Sequence, residues 1–248
     1  MSCMIEPMGI EIRDQRAKMI TKQSLIAFRE LGPDGTWDKH PVTPLTNDFL
    51  RLVDLNNPHP LIYDFGCGKG TKTLNLALGI PNARVIGFDA NGDSIEVARK
   101  AVKTEGVEDR VQFVEVDILD LNPMELELAD GIHEYQSVLT HAHRSIHKDV
   151  IGFYAKILHK RGVLLVNAFS KNSVFYGTDM REKIPSELRH QYSPEGAPLY
   201  SYFYGLGEIE ELVIPHFEPV TSTAIREIPH PTLPHERNLW EALLIRSN

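Results

Sequence analysis

The feature that most constrains this chain is a glycine-rich stretch that follows a short apolar segment. Residues 61–65 are apolar or aromatic apart from Asp64, and Gly66, Gly68 and Gly70 follow at alternate positions. Residues 71–78 then show helical periodicity. Because glycine adopts positive φ without steric cost and lacks Cβ, a ligand can lie directly against such a turn. The stretch predicts a strand, a tight turn and a helix start that together hold a nucleotide-like cofactor.

The dinucleotide fingerprint G-x-G-x-x-G is the alternative interpretation of this loop. If Gly66 and Gly68 are its first two glycines, the third falls at Thr71, whereas the extra glycine here is Gly70. The third glycine of the fingerprint allows close packing of helix on strand, and its displacement disfavours a nicotinamide-dependent oxidoreductase.

The pattern acid-x-Gly-x-Gly-x-Gly, from Asp64 to Gly70, resembles motif I of the class I S-adenosylmethionine-dependent methyltransferases. Two later apolar segments also end in acids, residues 83–89 in Asp89 and residues 111–117 in Asp117. Since the carboxyl ends of successive parallel strands lie at one edge of a sheet, we expect the three acids to lie together. The alternative for each acid is a solvated turn or a helix cap.

Strands that alternate with helices predict an α/β fold with a parallel sheet. The resemblance implies a doubly wound, mostly parallel seven-stranded sheet, whose last strand runs antiparallel beside the fifth. Residues 1–57 are predicted to form an N-terminal helical cap, with helices at 14–31 and 46–55, and residues 58–248 the methyltransferase domain. We further expect a fourth strand near 131–135, a helix at 145–160, a fifth strand at 163–166 and terminal strands at 220–225 and 239–245. Residues 171–205 hold many aromatic residues and are predicted to be an insertion after the fifth strand, on the substrate side or packed onto the domain.

The resemblance implies S-adenosylmethionine as the cofactor and identifies residues that would bind it. Asp89 would accept the two ribose hydroxyls, and Asp117 would accept the adenine amino group beside the apolar Ile118. A carboxylate suits a diol because it accepts two O–H bonds at once. The predicted cofactor-binding residues are Asp64, Gly66, Cys67, Gly68, Gly70, Asp89, Ala90, Asp117, Ile118 and Glu134.

Three residues at or after the end of the predicted fourth strand, Tyr135, His141 and His143, are the catalytic candidates. His141 or His143 would act as a base toward an acceptor hydroxyl or amine. The resemblance implies that Glu134, Tyr135 and Gln136 contact both the cofactor and the acceptor. A base is not obligatory, because methyl transfer from a sulfonium is an in-line displacement that positioning promotes. Although histidines are dense between 133 and 147, they lack a recognisable ligand set, so no metal site is predicted.

The acceptor is predicted to be a small molecule. The formal net charge is -8, from 26 basic and 34 acidic residues without a basic run, so nothing strongly indicates nucleic acid. Residues 225–240 resemble the end of small-molecule methyltransferases of the tellurite-resistance and thiopurine type. The Asn-Pro-Pro-Tyr signature of several amino-methylating relatives is absent. Two alternatives are a protein or RNA acceptor and a non-catalytic S-adenosylmethionine-binding module.

The sequence also favours a cytoplasmic protein without a membrane anchor. Residues 1–13 lack the apolar core of a signal peptide, and no segment has the length of a membrane span. Cys3 and Cys67 show neither metal spacing nor a disulfide framework, which fits a reducing compartment.

Overall fold

The computed structural model describes residues 19, 21–22, 43–173, 201–229 and 238–248. The helices of this part are α1 (Pro44–Asn56), α2 (Thr71–Gly79), α3 (Gly92–Glu105), α4 (Val138–His141), α5 (His147–Ile157) and α6 (Glu208–Val213). The strands are β1 (Leu61–Phe65), β2 (Arg84–Asp89), β3 (Val111–Glu115), β4 (Ala129–Tyr135), β5 (Leu158–Phe169), β6 (Phe217–Pro219), β7 (Ile225–Pro229) and β8 (Asn238–Arg246). Short 3₁₀ turns lie at Ile118–Asp120, Pro123–Glu125 and Arg144–Ile146.

The strands form one mostly parallel sheet in the order β3-β2-β1-β4-β5-β8-β6, with β7 also paired to β8. Strands β1 to β5 pair in parallel, and β8 runs antiparallel to β5. This architecture confirms the predicted α/β fold. The strand order reverses between β1 and β4, and in doubly wound sheets ligands bind at the carboxyl ends of the strands at such a point.

Both faces of the sheet are buried, because successive residues of each strand point to opposite sides. Ile62 and Leu165 belong to the apolar cluster that α1, α2 and α3 cover, which we call the α1 face. Tyr63 and Leu164 belong to the cluster that α5 and α6 cover, which we call the α5 face. The strands are therefore apolar on both sides, and any polar side chain inside them needs a specific partner.

Three element predictions differ from the structure. The helix predicted at 145–160 ends at Ile157, because Leu158 already pairs with Ala129 and begins a long β5 with a register shift. Residues 220–224 of the strand predicted at 220–225 form a turn, and the strands on either side of it, β6 and β7, both pair with β8. The sheet consequently has eight strands instead of seven.

Two predicted segments lie largely outside the described residues. Of the helix predicted at 14–31, the structure describes Met19, Thr21 and Lys22, which are helical. Of the insertion predicted at 171–205, residues 174–200 lie outside. The division into a cap at 1–57 and a domain at 58–248 stays a prediction. Within the described ranges, no helix is long and apolar enough to cross a membrane.

Candidate active site

A cavity of about 190 Å³ lies at the carboxyl ends of the central strands. Most of the predicted cofactor-binding residues line it: Asp64, Gly66, Cys67, Gly68, Asp89, Ala90 and Ile118. Of the catalytic candidates, Tyr135 and His141 also line it. Gly70, Asp117, Glu134 and His143 are not among its lining residues, and each of them has another role described below.

The glycine loop forms the floor of this cavity. Gly66 and Cys67 donate backbone hydrogen bonds to the carbonyl of Phe88, which fastens the loop to the end of β2. Gly66 has φ +67°, and a Cβ there would come within 2.3 Å of the Ser137 side chain. Ser137 in turn donates its hydroxyl to the carbonyl of Phe65 at 2.7 Å. The turn after β4 is thus seated directly on the glycine loop, and only glycine fits at this contact.

Gly70 has a structural role at the start of α2. It has φ +82° and is the residue before the first turn of the helix. A Cβ there would approach the Phe113 ring to 2.7 Å and Ala98 to 2.8 Å. The extra glycine of the motif therefore lets α2 and α3 pack closely beside the loop.

Asp64 anchors the loop from inside the sheet. Its carboxylate is buried and accepts hydrogen bonds from Thr73 Oγ1 at 2.6 Å and from His133 Nδ1 at 2.8 Å. Burying a carboxylate is costly unless several donors satisfy it. Asp64 thus ties β1 to α2 and β4 while its edge faces the cavity.

Asp89 lies where the second strand meets the cavity. One carboxylate oxygen accepts from the backbone N–H of Gly68 and the other from that of Asn91, both at 2.8 Å. A carboxylate has about four acceptor positions, and these two backbone bonds fix its orientation at the cavity. The same two bonds hold the glycine loop against the start of α3.

Asp117 caps the turn that follows β3. Its side chain accepts from the backbone N–H of Leu119 at 2.9 Å, and Ile118 beside it faces the cavity. The adjoining apolar wall includes Val116 and Phe88. Asp117 therefore supports the position of Ile118 from behind the cavity wall.

The residues present fit S-adenosylmethionine. Gly66 and Gly68 leave space where a Cβ would stand, Asp89 offers acceptors for a ribose diol, and Ile118 with Ala90 offers apolar contact for an adenine ring. Cys67 is a small residue of the cavity wall. Burial, and then the charges of Asp89 and Asp64, raise the pKa of its thiol well above the ordinary value. A protonated, buried thiol is inert as a nucleophile.

Glu134 faces the other side of the sheet from the α1 face. Its Oε1 accepts from the backbone N–H groups of Ser137 and Leu139 and so caps α4. Its Oε2 is buried and has no hydrogen-bond partner among the described residues. Burial raises the pKa of Glu134 to about 7, and the hydrogen bonds from the capped turn oppose that rise. Glu134 therefore stabilises the turn that joins the end of β4, at Tyr135, to α4, which ends at His141.

Tyr135 forms a wall on the α1 face, between a cation and a buried histidine. Its ring stacks on His133 with centroids 5.9 Å apart, and Lys72 Nζ lies 4.7 Å from the ring centroid. Burial, and then the negative charge of Glu241, hold the pKa of the Tyr135 phenol well above its ordinary value. Tyr135 therefore stays neutral and contributes its ring to the cavity wall, while its hydroxyl is buried.

His141 is the histidine that the structure brings to the cavity. Its Nδ1 lies 3.3 Å from Ser201 Oγ, and its ring meets Phe169 edge-on with centroids 6.2 Å apart. Ser201 is not a lining residue, so the imidazole reaches from Ser201 to the cavity wall. His141 is thus positioned as a group that can exchange a proton with a ligand in the cavity.

His143 caps the following 3₁₀ turn, with its Nδ1 accepting from the backbone N–H of Ser145 at 3.3 Å. Its own backbone N–H donates to Thr21 Oγ1 at 3.0 Å, and Thr21 lines the cavity. The contact brings a residue of the predicted N-terminal helix to the site.

His147 locks the segment after residue 200 onto the domain. Its Nε2 donates to the carbonyl of Ala142 at 2.9 Å, and Tyr204 OH lies 2.7 Å from its Nδ1. Burial lowers the pKa of His147 to about 4, so the ring is neutral near pH 7. Tyr202 adds a backbone bond to the carbonyl of Thr140 at 2.7 Å. These contacts hold Ser201 beside His141.

Within the described residues, no group of three or more His, Cys, Asp or Glu side chains is arranged to hold a metal.

Several cavity residues are not predicted from the sequence, notably Lys69, Lys72, Phe169 and Ser137. Lys69 and Lys72 lie in or directly after the glycine motif, and their proximity to it was a usable signal. Phe169 carried no such signal, because its place in the cavity depends on the full length of β5.

Two kinds of relatives resemble the chain over different extents. The release factor glutamine methyltransferase of Chlorobaculum tepidum is 43% identical over 60 residues, which are 24% of this chain and 20% of the relative. The ribosomal protein L11 methyltransferase of Salmonella newport is 36% identical over 107 residues, 43% of this chain and 33% of the relative. The chain thus spans a fifth to a third of the length of these curated relatives.

Solved structures match nearly the whole chain. A SAM-dependent methyltransferase from Anabaena variabilis has a TM-score of 0.64 at 19% identity and covers 96% of this chain and 97% of its own. The Burkholderia thailandensis 1,6-didemethyltoxoflavin-N1-methyltransferase, with 1,6-didemethyltoxoflavin and S-adenosylhomocysteine bound, has a TM-score of 0.62 at 17% identity and covers 96% and 92%. At such identities the likeness shows the fold alone.

Residues 59–197 match the model of a family described as Methyltransferase domain. The match extends over more than half of the chain. It confirms the predicted enzyme family and, with it, S-adenosylmethionine as the family's cofactor. The chain belongs to the class I S-adenosylmethionine-dependent methyltransferase family.

Proposed function

We propose that this protein transfers the methyl group of S-adenosylmethionine to a small-molecule acceptor bound in the cavity. One observation carries the proposal: a single cavity joins the glycine loop and Asp89 on one side to Tyr135, His141 and Phe169 on the other. The first side has the chemistry of an adenosyl-binding site, and the second offers rings and a proton acceptor.

Each residue on the cofactor side has its own role in binding S-adenosylmethionine. Asp89 holds the ribose hydroxyls, and Gly66 and Gly68 allow the amino-acid end to lie against the backbone. Ile118 packs against the adenine, and Asp64 keeps the loop in place through Thr73 and His133. Gly70, Asp117 and Glu134 shape the walls from outside the cavity.

On the acceptor side, the residues orient the acceptor and remove its proton. The bound cofactor supplies a methyl group on a positively charged sulfur, which is already a good leaving group. The acceptor's lone pair forms the bond to the methyl carbon, the bond from that carbon to sulfur breaks with its electron pair left on sulfur, and the acceptor proton passes to His141 or to water. Correct orientation alone is worth roughly 7–11 kcal/mol in such a displacement.

Two observations support a small acceptor. The cavity has aromatic walls from Tyr135 and Phe169, which suit a flat or apolar molecule. The fold resembles, over nearly the full length of both chains, that of an enzyme whose structure contains a small heterocycle.

A protein acceptor is the second candidate, because the curated relatives include methyltransferases named for a release factor and a ribosomal protein. Those similarities extend over 60 and 107 residues of this chain. Each similarity therefore extends over less than half of this chain.

The test is a methyl-transfer assay with radiolabelled S-adenosylmethionine and a cell extract separated by ultrafiltration. We expect labelled products in the low-molecular-weight fraction that chromatography separates from the cofactor, and much less of them with Asp89→Ala at a cofactor concentration near the wild-type Kd. Label in the protein fraction alone would support the second candidate. Cofactor binding by calorimetry without transfer to either fraction would indicate a non-catalytic binding module, and an absence of binding would remove the proposal.

A further inference from the structure

Three buried oxygen atoms near the turn after β4 have no hydrogen-bond partner in the described part of the chain. They are Glu134 Oε2, Thr140 Oγ1 and Tyr154 OH, and we call them the three buried oxygens. All three residues are fully buried. Buried polar atoms nearly always have a partner, because leaving one without a hydrogen bond is costly. Three such atoms in neighbouring elements therefore indicate a small polar ligand that bridges them.

The three buried oxygens belong to elements that pack together. Tyr154 of α5 stacks on Phe65 with ring centroids 5.1 Å apart, and Phe65 is the register neighbour of Glu134 in the pairing of β1 with β4. Burial, and then the negative charge of Glu134, raise the pKa of the Tyr154 phenol well above its ordinary value. Glu134 Oε1 accepts from the backbone N–H of Leu139, the residue before Thr140. These contacts bring the three side chains to one region between β4, α4 and α5.

The size of the set indicates which ligand it suits. No two of the three buried oxygens form a hydrogen bond with each other, so each needs a partner from outside the set. A water molecule makes about three hydrogen bonds in protein interiors, which matches the number of oxygens. Ca²⁺ takes about six to eight oxygen ligands, more than the set provides. Hydroxyl groups can donate or accept, so Thr140 and Tyr154 both suit water.

The carboxyl group of Glu134 also favours water over a monovalent cation. Burial raises the pKa of Glu134 to about 7, so both of its forms are populated near neutral pH. Ionised Oε2 accepts a hydrogen bond from water, and protonated Oε2 donates one to it. A cation would suit the ionised form alone. Water therefore satisfies Oε2 in both forms.

We propose that a water molecule is bound between Glu134 Oε2, Thr140 Oγ1 and Tyr154 OH as an integral part of the fold. It joins the end of β4 to α4 and α5, and it supports α4 from the opposite side of Glu134 to the cavity. Neither the cofactor nor the acceptor takes part in this site, so its test is independent of the proposed function.

A crystal structure of the full chain, with one crystal soaked in rubidium chloride, tests the identity of the ligand. We expect one solvent peak at about 2.6–3.2 Å from each of the three buried oxygens, without an anomalous signal from rubidium. A rubidium signal at this position would overturn the proposal in favour of a cation. A direct hydrogen bond between two of the three oxygens, with no solvent peak beside them, would also overturn it.

The variant Tyr154→Phe changes stability in opposite directions with and without a bridging water. Removing a hydroxyl that has no partner would stabilise the protein, because such a group is costly when buried. Removing a hydroxyl bonded to water breaks a hydrogen bond, so we expect the equilibrium constant of unfolding to rise about fivefold, as measured by urea denaturation. Tyr63→Phe is the matched control, since Tyr63 OH donates to the carbonyl of Glu127 at 2.9 Å, and it should show a rise of similar size. Unchanged or increased stability of Tyr154→Phe would overturn the proposal.

A double-variant cycle tests whether two of the oxygens share one water. Thr140→Val removes the second hydroxyl and should also raise the equilibrium constant of unfolding. With Tyr154→Phe added, we expect a constant at least about twofold below the product of the two single effects, because residues with a shared partner are not additive. Thr140→Val combined with Tyr63→Phe is the control pair and should be additive, since Tyr63 binds Glu127 near the other end of β4. Additive effects of Thr140→Val and Tyr154→Phe would overturn the shared site.

Discussion

The two halves of the cavity are assembled in different ways. The cofactor half comprises the glycine loop and the ends of β1, β2 and β3, and its residues all come from one continuous stretch, 64–118. The acceptor half is lined by the ends of β4 and β5 and by helix α4, and β8 and residues 201–204 support these elements from outside the cavity. Its key contacts join residues far apart in sequence, such as His141 with Ser201 and Asn167 with Glu241.

This difference explains where function can be recognised. The cofactor half depends on local chemistry that repeats wherever the same cofactor binds, namely glycines at a turn and acids at strand ends. The acceptor half depends on which distant side chains the sheet brings together. The cofactor can therefore be inferred from a short motif, whereas the acceptor must be inferred from the assembled fold.

The largest effect should follow a change where the halves meet. Gly66→Ala combines a left-handed φ with a Cβ that would lie 2.3 Å from Ser137. We expect binding of S-adenosylhomocysteine to be weaker by about tenfold to a hundredfold, because relieving an overlap in a packed site typically costs about 1–3 kcal/mol. Calorimetry measures the affinity. Gly106→Ala is the matched control, since Gly106 has the same φ but no atom within 4 Å of the added Cβ. Equal affinities in the two variants would mean that the halves are independent.

The next effect concerns the pH dependence of the free energy of unfolding, which Glu134 on the acceptor side should influence. The folded-state pKa of Glu134 is raised from 4.5 to about 7, so the folded protein binds this proton more tightly than the unfolded chain. The resulting stability is fully present below pH 4.5 and is lost as the pH rises through 7. By linkage it amounts to about 2 kcal/mol between pH 5 and pH 8.

We therefore expect Glu134→Gln to flatten the pH dependence of the free energy of unfolding over this range, as measured by urea denaturation. Glutamine keeps the oxygen that caps α4 without the titrating proton. Glu105→Gln, at the exposed end of α3, should leave the pH dependence unchanged. A variant with the wild-type slope would show that Glu134 does not titrate in this range.

The third effect separates two acids of the cofactor half. Asp89→Ala should weaken binding of S-adenosylhomocysteine at least tenfold, since hydrogen bonds to a charged group are worth roughly 1.5–3 kcal/mol each. Asp117→Ala removes a cap behind the wall and should chiefly lower the free energy of unfolding, by about 1 kcal/mol. Titration calorimetry and urea denaturation of both variants distinguish the two roles. A larger loss of affinity for Asp117→Ala would assign the adenosyl contact to that residue instead.

The smallest effect should come from the contact of Lys72 with Tyr135, which spans the two halves. Lys72→Met keeps the length of the side chain and removes the charge over the ring, a contact worth about 0.5–1 kcal/mol. We expect a decrease of that size in the free energy of unfolding, measured by urea denaturation. Lys100→Met, at an exposed site on α3, is the control. An unchanged stability would mean that the cation contributes nothing to holding the wall.

The sequence predicted the strands that end in Asp64, Asp89 and Asp117 because each combines an apolar run with a terminal acid. The secondary structure predicted from the sequence is less accurate from residue 158 onward. Residues 158–162 have helix-compatible composition, and they extend β5 only because Ala129 of β4 offers a pairing partner. Likewise Glu241 appears in the sequence as one more acid in an apolar strand. Its partners, Asn167 and Arg226, are set by strand order and register, which a single sequence does not specify.

Strand β8 has a consequence for how the molecule reaches its final form. It pairs with β5, β6 and β7, and it lies far along the chain from β5. Among the described strands, β6 and β7 pair only with β8, whereas β5 also pairs with β4. Contacts between sequence-distant segments form slowly because the intervening loop must first be closed. The parallel pairs among β1 to β4 do not include β8 and can form before it is in place. During folding, the protein should thus gain affinity for the nucleoside before it can distinguish one methyl recipient from another.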